Sequence, residues 1–334
     1  MAQYGNSNAM AARRASCYNS AKYYTGLQHP QAQGPLSIMH RPIRNCVLLG
    51  KFHDPRVAEC AQALVPELLS RQLTPLALED GASGLPQGVQ SLPLPELIAR
   101  ADLMIVIGGD GTLLYAAGLV AEHDIPLLGI NRGRLGFLTD VSPRDMIACL
   151  DSLLAGECIA DRRALLQARL ISPQGTVVSR FALNDVVFNR LETGRMLDFE
   201  TRIDGRYVNS LAGDGLVIAT ATGSTAYALS CGGPIVEPRL NVLVVAPICP
   251  HTLSHRPFLV PGDSRIDIHL TGSPQVSAQV SCDAVMLGEL VLEGRLEITP
   301  SDRAVTLLHP PGYDYFELLR SKLHWGLGGR GHER

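Results

Sequence analysis

Chemistry is concentrated first in Leu103-Met-Ile-Val-Ile-Gly-Gly-Asp-Gly-Thr-Leu-Leu114, where an apolar run meets three glycines around one carboxylate, Asp110. Glycines at the carboxyl end of a buried strand let backbone N–H groups approach phosphate oxygens without Cβ interference. A helix starting there adds the positive end of its dipole. That describes a phosphate site. A carboxylate inside it is repelled by a bound anion, so its presence points to proton abstraction, metal coordination or hydroxyl binding. Asp110 is therefore the lead catalytic candidate. The spacing Gly108-Gly-Asp-Gly111 fits neither a Gly-x-Gly-x-x-Gly dinucleotide turn nor a Gly-Lys-Ser/Thr phosphate loop.

A second concentration lies at Ala212-Gly-Asp-Gly-Leu-Val-Ile-Ala-Thr-Ala-Thr-Gly-Ser-Thr-Ala-Tyr-Ala-Leu-Ser-Cys-Gly-Gly-Pro234. Hydroxyls at Thr220, Thr222, Ser224, Thr225 and Ser230 surround Gly223, with Tyr227 following. Such a segment can line a pocket for ribose, amide or phosphate groups and offer an aromatic face to a base. A strand leaving through a capped turn would need only one or two of those hydroxyls. No Gly-x-Ser-x-Gly elbow is present, which argues against Ser224 as a hydrolase nucleophile. Asn184-Asp185 interrupts the apolar run Phe181–Phe188, so the pair must find partners in a bulge, a structural hydrogen bond or ligand hydroxyls. His251 and His255 would share a helix face as metal ligands, but Pro247, Pro250 and Pro257 bracket them and loop packing is expected instead.

The elements that must position these residues change character along the chain. Asn45–Leu49, Pro75–Leu78, Leu103–Ile107 and Ile125–Ile130 are short apolar runs of the kind buried on both faces in a parallel sheet. Asp54 with Pro55 starts a helix whose stripe is Val57, Ala61, Leu64, Leu68 and Leu69, with a kink expected at Pro66. Residues 81–95 read as loop, and Ser142 opens a helix with Ile147, Leu150, Leu153 and Leu154 on its apolar face, ending at Gly156. Asn131-Arg-Gly-Arg-Leu-Gly-Phe137 is a second glycine-rich turn at a strand end, predicted to share one crevice with the first. Beyond about Asp161 the texture turns to alternating segments, Leu165–Ile171, Val177–Leu183, Phe199–Ile203, Ile266–Leu270, Gln275–Ser281 and Leu290–Ile298, the signature of antiparallel β structure. Tyr313–Leu323 regains a helical stripe through Phe316, Leu319 and Leu323.

With 334 residues, 46% hydrophobic and 18% charged, the chain has length for two domains and a substantial core. No apolar run approaches the ~18 residues of a membrane span. A net charge of −3 argues against an extended nucleic-acid surface. Eight cysteines without a Cys-x-x-Cys pair predict a reduced, cytoplasmic protein without structural zinc. Residues 1–38 lack Asp and Glu and any periodic apolar face, so a disordered extension ahead of a start at Met39 is expected; the alternative, suggested by Arg13, Arg14 and Ser16, is an organelle transit peptide.

Five motifs together carry a resemblance: Gly-Gly-Asp-Gly-Thr-Leu-Leu, Gly-Ile-Asn-Arg-Gly-Arg-Leu-Gly-Phe-Leu-Thr-Asp, Leu-Asn-Asp-Val-Val, Thr-Gly-Ser-Thr-Ala-Tyr-x-Leu-Ser-x-Gly-Gly-Pro and Pro-Ile-Cys-Pro-His-Thr-Leu-Ser-x-Arg-Pro. In this order, from about residue 40 to Trp325, the chain resembles the bacterial NAD kinases. The resemblance implies transfer of the ATP γ-phosphoryl group to the 2′-hydroxyl of the adenosine ribose of NAD, with Mg²⁺ carried by ATP and no metal site in the chain itself. It implies Asp110 as general base with Gly111 beside it, and Asn184, Asp185 and Asp214 as dinucleotide ligands. Thr222, Thr225, Ala226, Tyr227 and Ser230 fall on the adenine-side wall, Phe137 against the base, and Arg195 as a basic contact. It also implies a Rossmann-like α/β domain over 39–161, a β-rich sandwich domain over 162–302, a segment 303–334 returning to the first domain with its last residues disordered, and a homodimer or homotetramer. Ala212, Ala221 and Val285 depart from the family pattern, which bears on substrate affinity and donor range. Two other readings compete: a lipid kinase sharing the Gly-Gly-Asp-Gly-Thr loop, as diacylglycerol and sphingosine kinases do, and a non-catalytic NAD(P)-binding sensor.

Overall fold

Strands that lack polar alternation must be covered on both faces, and helices cover the first strands of this chain. The computed structural model describes residues 42–81, 83–133, 136–191, 196–252, 254–273 and 275–325. The first half runs β1 (Asn45–Gly50), α1 (Pro55–Ser70), β2 (Thr74–Leu78), β3 (Gln90–Leu92), α2 (Leu94–Arg100), β4 (Leu103–Gly108), α3 (Asp110–Val120), β5 (Leu127–Asn131) and α4 (Met146–Leu154). Its strands pair in parallel in the order β3-β2-β1-β4-β5. Side chains of β4 alternate between two cores. Leu103, Ile105 and Ile107 meet α1 and α4 through Leu64, Leu68 and Leu150, whereas Met104 and Val106 meet α2 and α3 through Leu97, Leu113 and Ala117.

The second half continues with β6 (Ile159–Ile171), β7 (Val177–Ala182), β8 (Asp185–Arg190), β9 (Leu197–Ile203), β10 (Arg206–Gly213), β11 (Gly215–Thr220), the one-turn helix α5 (Tyr227–Ser230), β12 (Val242–Ile248), β13 (Phe258–Pro261), β14 (Ile266–Thr271), β15 (Ala278–Cys282), β16 (Val285–Leu290), β17 (Arg295–His309) and α6 (Tyr315–Leu323). Two sheets result. One is six-stranded in the order β13-β12-β11-β8-β15-β16, and the other is eleven-stranded, because β9, β10, β14, β17, β6 and β7 extend the parallel sheet. The joint is β17, antiparallel to β6 along most of its length and to β14 at Leu296–Ile298, and parallel to β5 at Leu307 and Leu308. The sheets face each other over a core that includes Leu166, Phe188, Phe199, Ile218 and Ile298, with the rings of Phe188 and Phe199 edge to face at 5.1 Å. This is the α/β half followed by a β-rich sandwich that the sequence predicts. The described residues fall in one contact unit.

Several local expectations are corrected. The segment 81–95 contains β3 and the start of α2, since a strand of three residues carries too little pattern to read. Leu69 and Leu154 are 44% and 38% exposed; in a helix each sits about 100° round from the buried residue before it, and Cys60 and Val65, or Met146 and Cys149, complete the stripes instead. In α6 the buried pair is Leu318 and Leu319, while Phe316 is exposed. Helix α1 includes Pro66 and, as expected, is capped by Asp54, whose carboxylate accepts from the Arg56 N–H at 3.0 Å. Leu290–Ile298 is not one strand: a turn with Glu293 in the left-handed region (φ 66°) separates β16 from β17. His251 and His255 lie in irregular chain, as expected from the bracketing prolines.

Candidate active site

Asp110 is the first residue of α3, directly after the buried β4, so its carboxylate sits at the positive end of a helix. A Cβ added at Gly109 or Gly111 would meet nothing within 4 Å, so these glycines answer no packing demand and leave the helix start open to a ligand. The second glycine turn closes on Asp110 from β5. Oδ1 accepts from the Leu138 N–H at 3.0 Å and from the N–H and hydroxyl of Thr139, each at 3.1 Å, while Oδ2 accepts from the Phe137 N–H at 2.8 Å. Gly136 has no alternative, because a Cβ there would overlap the Asp110 carboxylate. Asn131 braces the turn, donating to the Thr139 hydroxyl at 2.8 Å and accepting from the Gly133 N–H at 2.7 Å. The two glycine turns thus share one crevice, and Oδ2 keeps a lone pair for a hydroxyl. Lys322 of α6 places its ammonium 5.8 Å from the centre of the Phe137 ring.

Leu114 follows Asp110 by one helical turn and lines a cavity of about 490 Å³, within the size range of small-molecule sites. Its other walls come from β8 (Asp185, Val187, Asn189, with Asn184 just before), from β15 (Gln279, Ser281), from the turn residues Asp283 and Ala284, and from Ala226 and Tyr227. Asn189 pairs with Gln279 and Val187 with Ser281 across the two strands, so one sheet face supplies a polar lining. Asn184 Oδ1 is buried without a partner, an acceptor awaiting a donor. Burial, then the neighbouring Asp283 charge, push the Asp185 carboxyl up to about 7, against the pull of the Tyr227 N–H. Asp283 itself accepts from three successive N–H groups, Leu183 at 2.7 Å, Asn184 at 2.8 Å and Asp185 at 3.1 Å. Burial still raises its pKa against those bonds. Asp283 and Ala284 both adopt positive φ, 48° and 64°, which turns the β15–β16 hairpin so that the carboxylate reaches β8.

The hydroxyl-rich segment divides. Thr220 donates to the Leu183 carbonyl at 2.6 Å, and Ser224 donates to the Ala221 carbonyl at 2.7 Å while accepting from the Val236 N–H at 2.9 Å. Those two hydroxyls build the turn and are buried, so they line nothing, contrary to the sequence reading. Thr222 accepts from Arg163 at 3.2 Å, and Thr225 is half-buried above it. Ser230 is exposed at the end of α5, and Ala226 and Tyr227 form cavity wall. Gly223 is required because a Cβ would overlap the Asn184 carbonyl oxygen, the close approach that brings this turn to the Asn184–Asp185 pair. Asp214 lies outside the cavity lining and pairs with Arg190 at 3.1 Å, a cation from the adjacent strand where Ala212 supplies none. Arg195 lies outside the described residues.

Residues 89–158 match the ATP-NAD kinase N-terminal domain and residues 183–309 the ATP-NAD kinase C-terminal domain. The chain is 45% identical over 288 residues to the NAD kinase of Methylococcus capsulatus, covering 86% of this chain and 99% of that one. It is 43% identical over 289 residues to the NAD kinase of Nitrosococcus oceani, with the same two coverages. The chain belongs to the NAD kinase family. Its activity is that of the family, phosphorylation of NAD with ATP, and neither the lipid-kinase nor the sensor reading is favoured. The fold is shared with yeast NADH kinase, solved in complex with NADH, at a TM-score of 0.82 and 22% identity over 88% of this chain and 91% of that one. An NAD kinase from Archaeoglobus fulgidus, solved in complex with ATP, aligns at a TM-score of 0.66 and 25% identity over 84% and 98%.

Seen as a member of this family, the chain has site residues that sequence reasoning missed. Asn189, Gln279 and Ser281 were open to a period-of-two reading, since Gln279 and Ser281 share the polar face of β15 opposite Ala278, Val280 and Cys282, and Asn189 shares its face of β8 with Asp185 and Val187. Asp283 carried no local sign of its work, because the N–H groups that it holds lie about a hundred positions earlier.

Proposed function

We propose that Asp110 is the general base of NAD phosphorylation, accepting the proton of the adenosine ribose 2′-hydroxyl as that oxygen attacks the γ-phosphorus of ATP. One observation carries this reading: a carboxylate pinned by four hydrogen bonds from the second glycine turn, one helical turn from the wall of the cavity. Pinning fixes Oδ2 without consuming its free lone pair, and a base so oriented contributes roughly 10²–10⁴-fold to a proton transfer. The open helix start at Gly109–Gly111 suits the donor phosphates, whose charge the helix dipole and amides stabilise. Asn184 and Asp185 hold sugar hydroxyls, and Tyr227, Ala226 and Phe137 border the base. Thr222, Thr225 and Ser230 shape the adenine-side wall, with Asp214 and Arg195 as outer ligand contacts.

Among the described residues no three His, Cys, Asp or Glu side chains gather into a metal site. In this reading the divalent ion enters with ATP as the metal–nucleotide donor, and no step runs through a metal held by the chain. A catalytic unit divided at about residue 161, with 303–334 returning to the first part, completes the reading together with a cytoplasmic, homo-oligomeric state. Support comes from the free thiols of all seven described cysteines and from Val285 and Met286, exposed on the edge strand β16. No helix among the described residues is long and apolar enough to cross a membrane.

The test is NADP formation from NAD, ATP and Mg²⁺ by the purified protein, compared with Asp110→Asn. Turnover is expected to be lost in the variant while NAD binding stays within about tenfold; unchanged turnover would refute the base assignment.

A further inference from the structure

Behind the cavity wall lies a row of buried charges that no step above uses. Arg163 on β6 and His309 at the end of β17 are 2% and 1% exposed, and Asp140 and Asp161 are 5% and 18% exposed. They connect in sequence. His309 Nδ1 lies 2.7 Å from Asp140 Oδ2, and its Nε2 lies 3.6 Å from Asp161 Oδ2. Arg163 Nη2 lies 2.6 Å from the same Asp161 oxygen, while its Nη1 donates to the Thr222 hydroxyl at 3.2 Å. Tyr313 stacks flat on the imidazole, ring centres 3.9 Å apart. Both ends of the row meet the proposed site. Asp140 follows Thr139, which donates twice to the Asp110 carboxylate. Thr222 opens the turn that leads into the wall residues Ala226 and Tyr227. None of the four charged residues lines the cavity.

Burying four charges is expensive, and well-packed apolar residues would serve stability as well or better. What a charged row adds is directional geometry between the elements that it joins. With His309 as imidazolium the row holds two cations and two anions; with neutral imidazole it holds one uncompensated buried negative charge. We propose that Asp140, His309, Asp161 and Arg163 form a strut that sets the distance between the Asp110 loop and the Thr222 turn, with imidazolium at its centre, making them positioning residues for phosphoryl transfer. The inference rests on the reading of Asp110 and the Thr222 turn given above. Burial opposes the charge on His309, but its hydrogen bond to Asp140 and the Asp161 carboxylate 3.6 Å from Nε2 outweigh burial and raise its pKa. The other groups facing it are Arg163, the Cys158 thiol and the Tyr313 hydroxyl, the last pushed by burial to about 12. The strut is thus intact below the raised histidine pKa and fails as pH rises through it.

The experiment measures kcat, the KM for NAD and thermal unfolding for His309→Gln, Thr222→Val, the double variant and Arg163→Lys, on the full chain across pH. A misplacement on the order of 1 Å can cost about 10²-fold in rate, so kcat is expected to fall at least about tenfold in each single variant, with the KM for NAD within about threefold in His309→Gln and Arg163→Lys. The double variant should lose no more than the worse single one, because a strut broken twice is broken once. Arg163→Lys, which keeps the charge, should retain more kcat than His309→Gln. The alkaline fall of wild-type kcat should vanish in His309→Gln. Additive losses, an unchanged kcat, or an alkaline limb that persists in His309→Gln would overturn the proposal. Should His309→Gln not fold, Thr222→Val tests the strut alone, through its own kcat and its pH profile, which must lose the alkaline limb. An active Asp110→Asn would sink the base assignment and leave the His309–Thr222 coupling to be read independently.

Discussion

Replacing Asp185 by Asn should strengthen the fold and weaken the enzyme, and the size of the first effect should depend on pH. Asp185 is 6% exposed and faces Asp283, and its carboxyl is raised from an ordinary 3.8 to about 7. Because the folded value lies above the unfolded one, the folded state binds the extra proton between the two, and stability falls as pH rises through that window. Three pKa units at about 1.36 kcal/mol each put the cost at about 4 kcal/mol above pH 7. Near pH 5 the folded carboxyl is still neutral while the unfolded one is already mostly ionised, so the cost is only about 1.5 kcal/mol. Asn keeps the shape and removes the charge. Its stabilising effect should therefore be about 2–3 kcal/mol larger near pH 8 than near pH 5, read as midpoint shifts in urea unfolding at the two pH values. NAD binding, measured by calorimetry near pH 8, should weaken at least about tenfold as ligand hydroxyls lose an ionised acceptor. An equal gain at both pH values, or a loss at both, would show that Asp185 is not held up by burial and Asp283.

Asp283→Ala should destabilise the protein by about 2–4 kcal/mol, since three N–H groups lose a charged acceptor and recover only the cost of burying it. A urea midpoint shift worth less than about 1 kcal/mol would contradict this. Gly223→Ala pushes a Cβ into the Asn184 carbonyl, so the turn must move away from the Asn184–Asp185 pair. An overpacking cost of about 1–3 kcal/mol and a raised KM for NAD are expected, and wild-type kinetics would refute the close approach.

How much was legible in the sequence followed from how local each cause is. Leu103–Gly108 is a strand for reasons contained in its own six residues, all apolar and all buried, and the glycines beside Asp110 announce the phosphate turn in the same stretch. Thr220 and Ser224 misled because a hydroxyl that binds a ligand and one that caps its own turn are the same residue type, and only the Leu183, Ala221 and Val236 partners separate them. The bonds of Asp283, to which the resemblance gives only a weak ligand role, and those of His309 were invisible for the opposite reason. Their partners stand 98 to 169 positions away, and nothing near them in sequence reports those contacts.

The place of β17 has a consequence for how the chain is made. It joins β14 to β5, so the start of the outer β5 edge, at Leu127 and Leu128, lacks a neighbour until Leu307 and Leu308 arrive. During synthesis Val141 soon covers the outer edge of β5 at Gly129–Asn131, but the Leu127–Leu128 part of that edge stays unpaired while most of the remaining chain is added. A strand edge open for that long is a template for wrong pairing. Closing it requires a contact between residues about 180 positions apart, Leu127 with Leu307, which makes this the slow and aggregation-exposed step of folding.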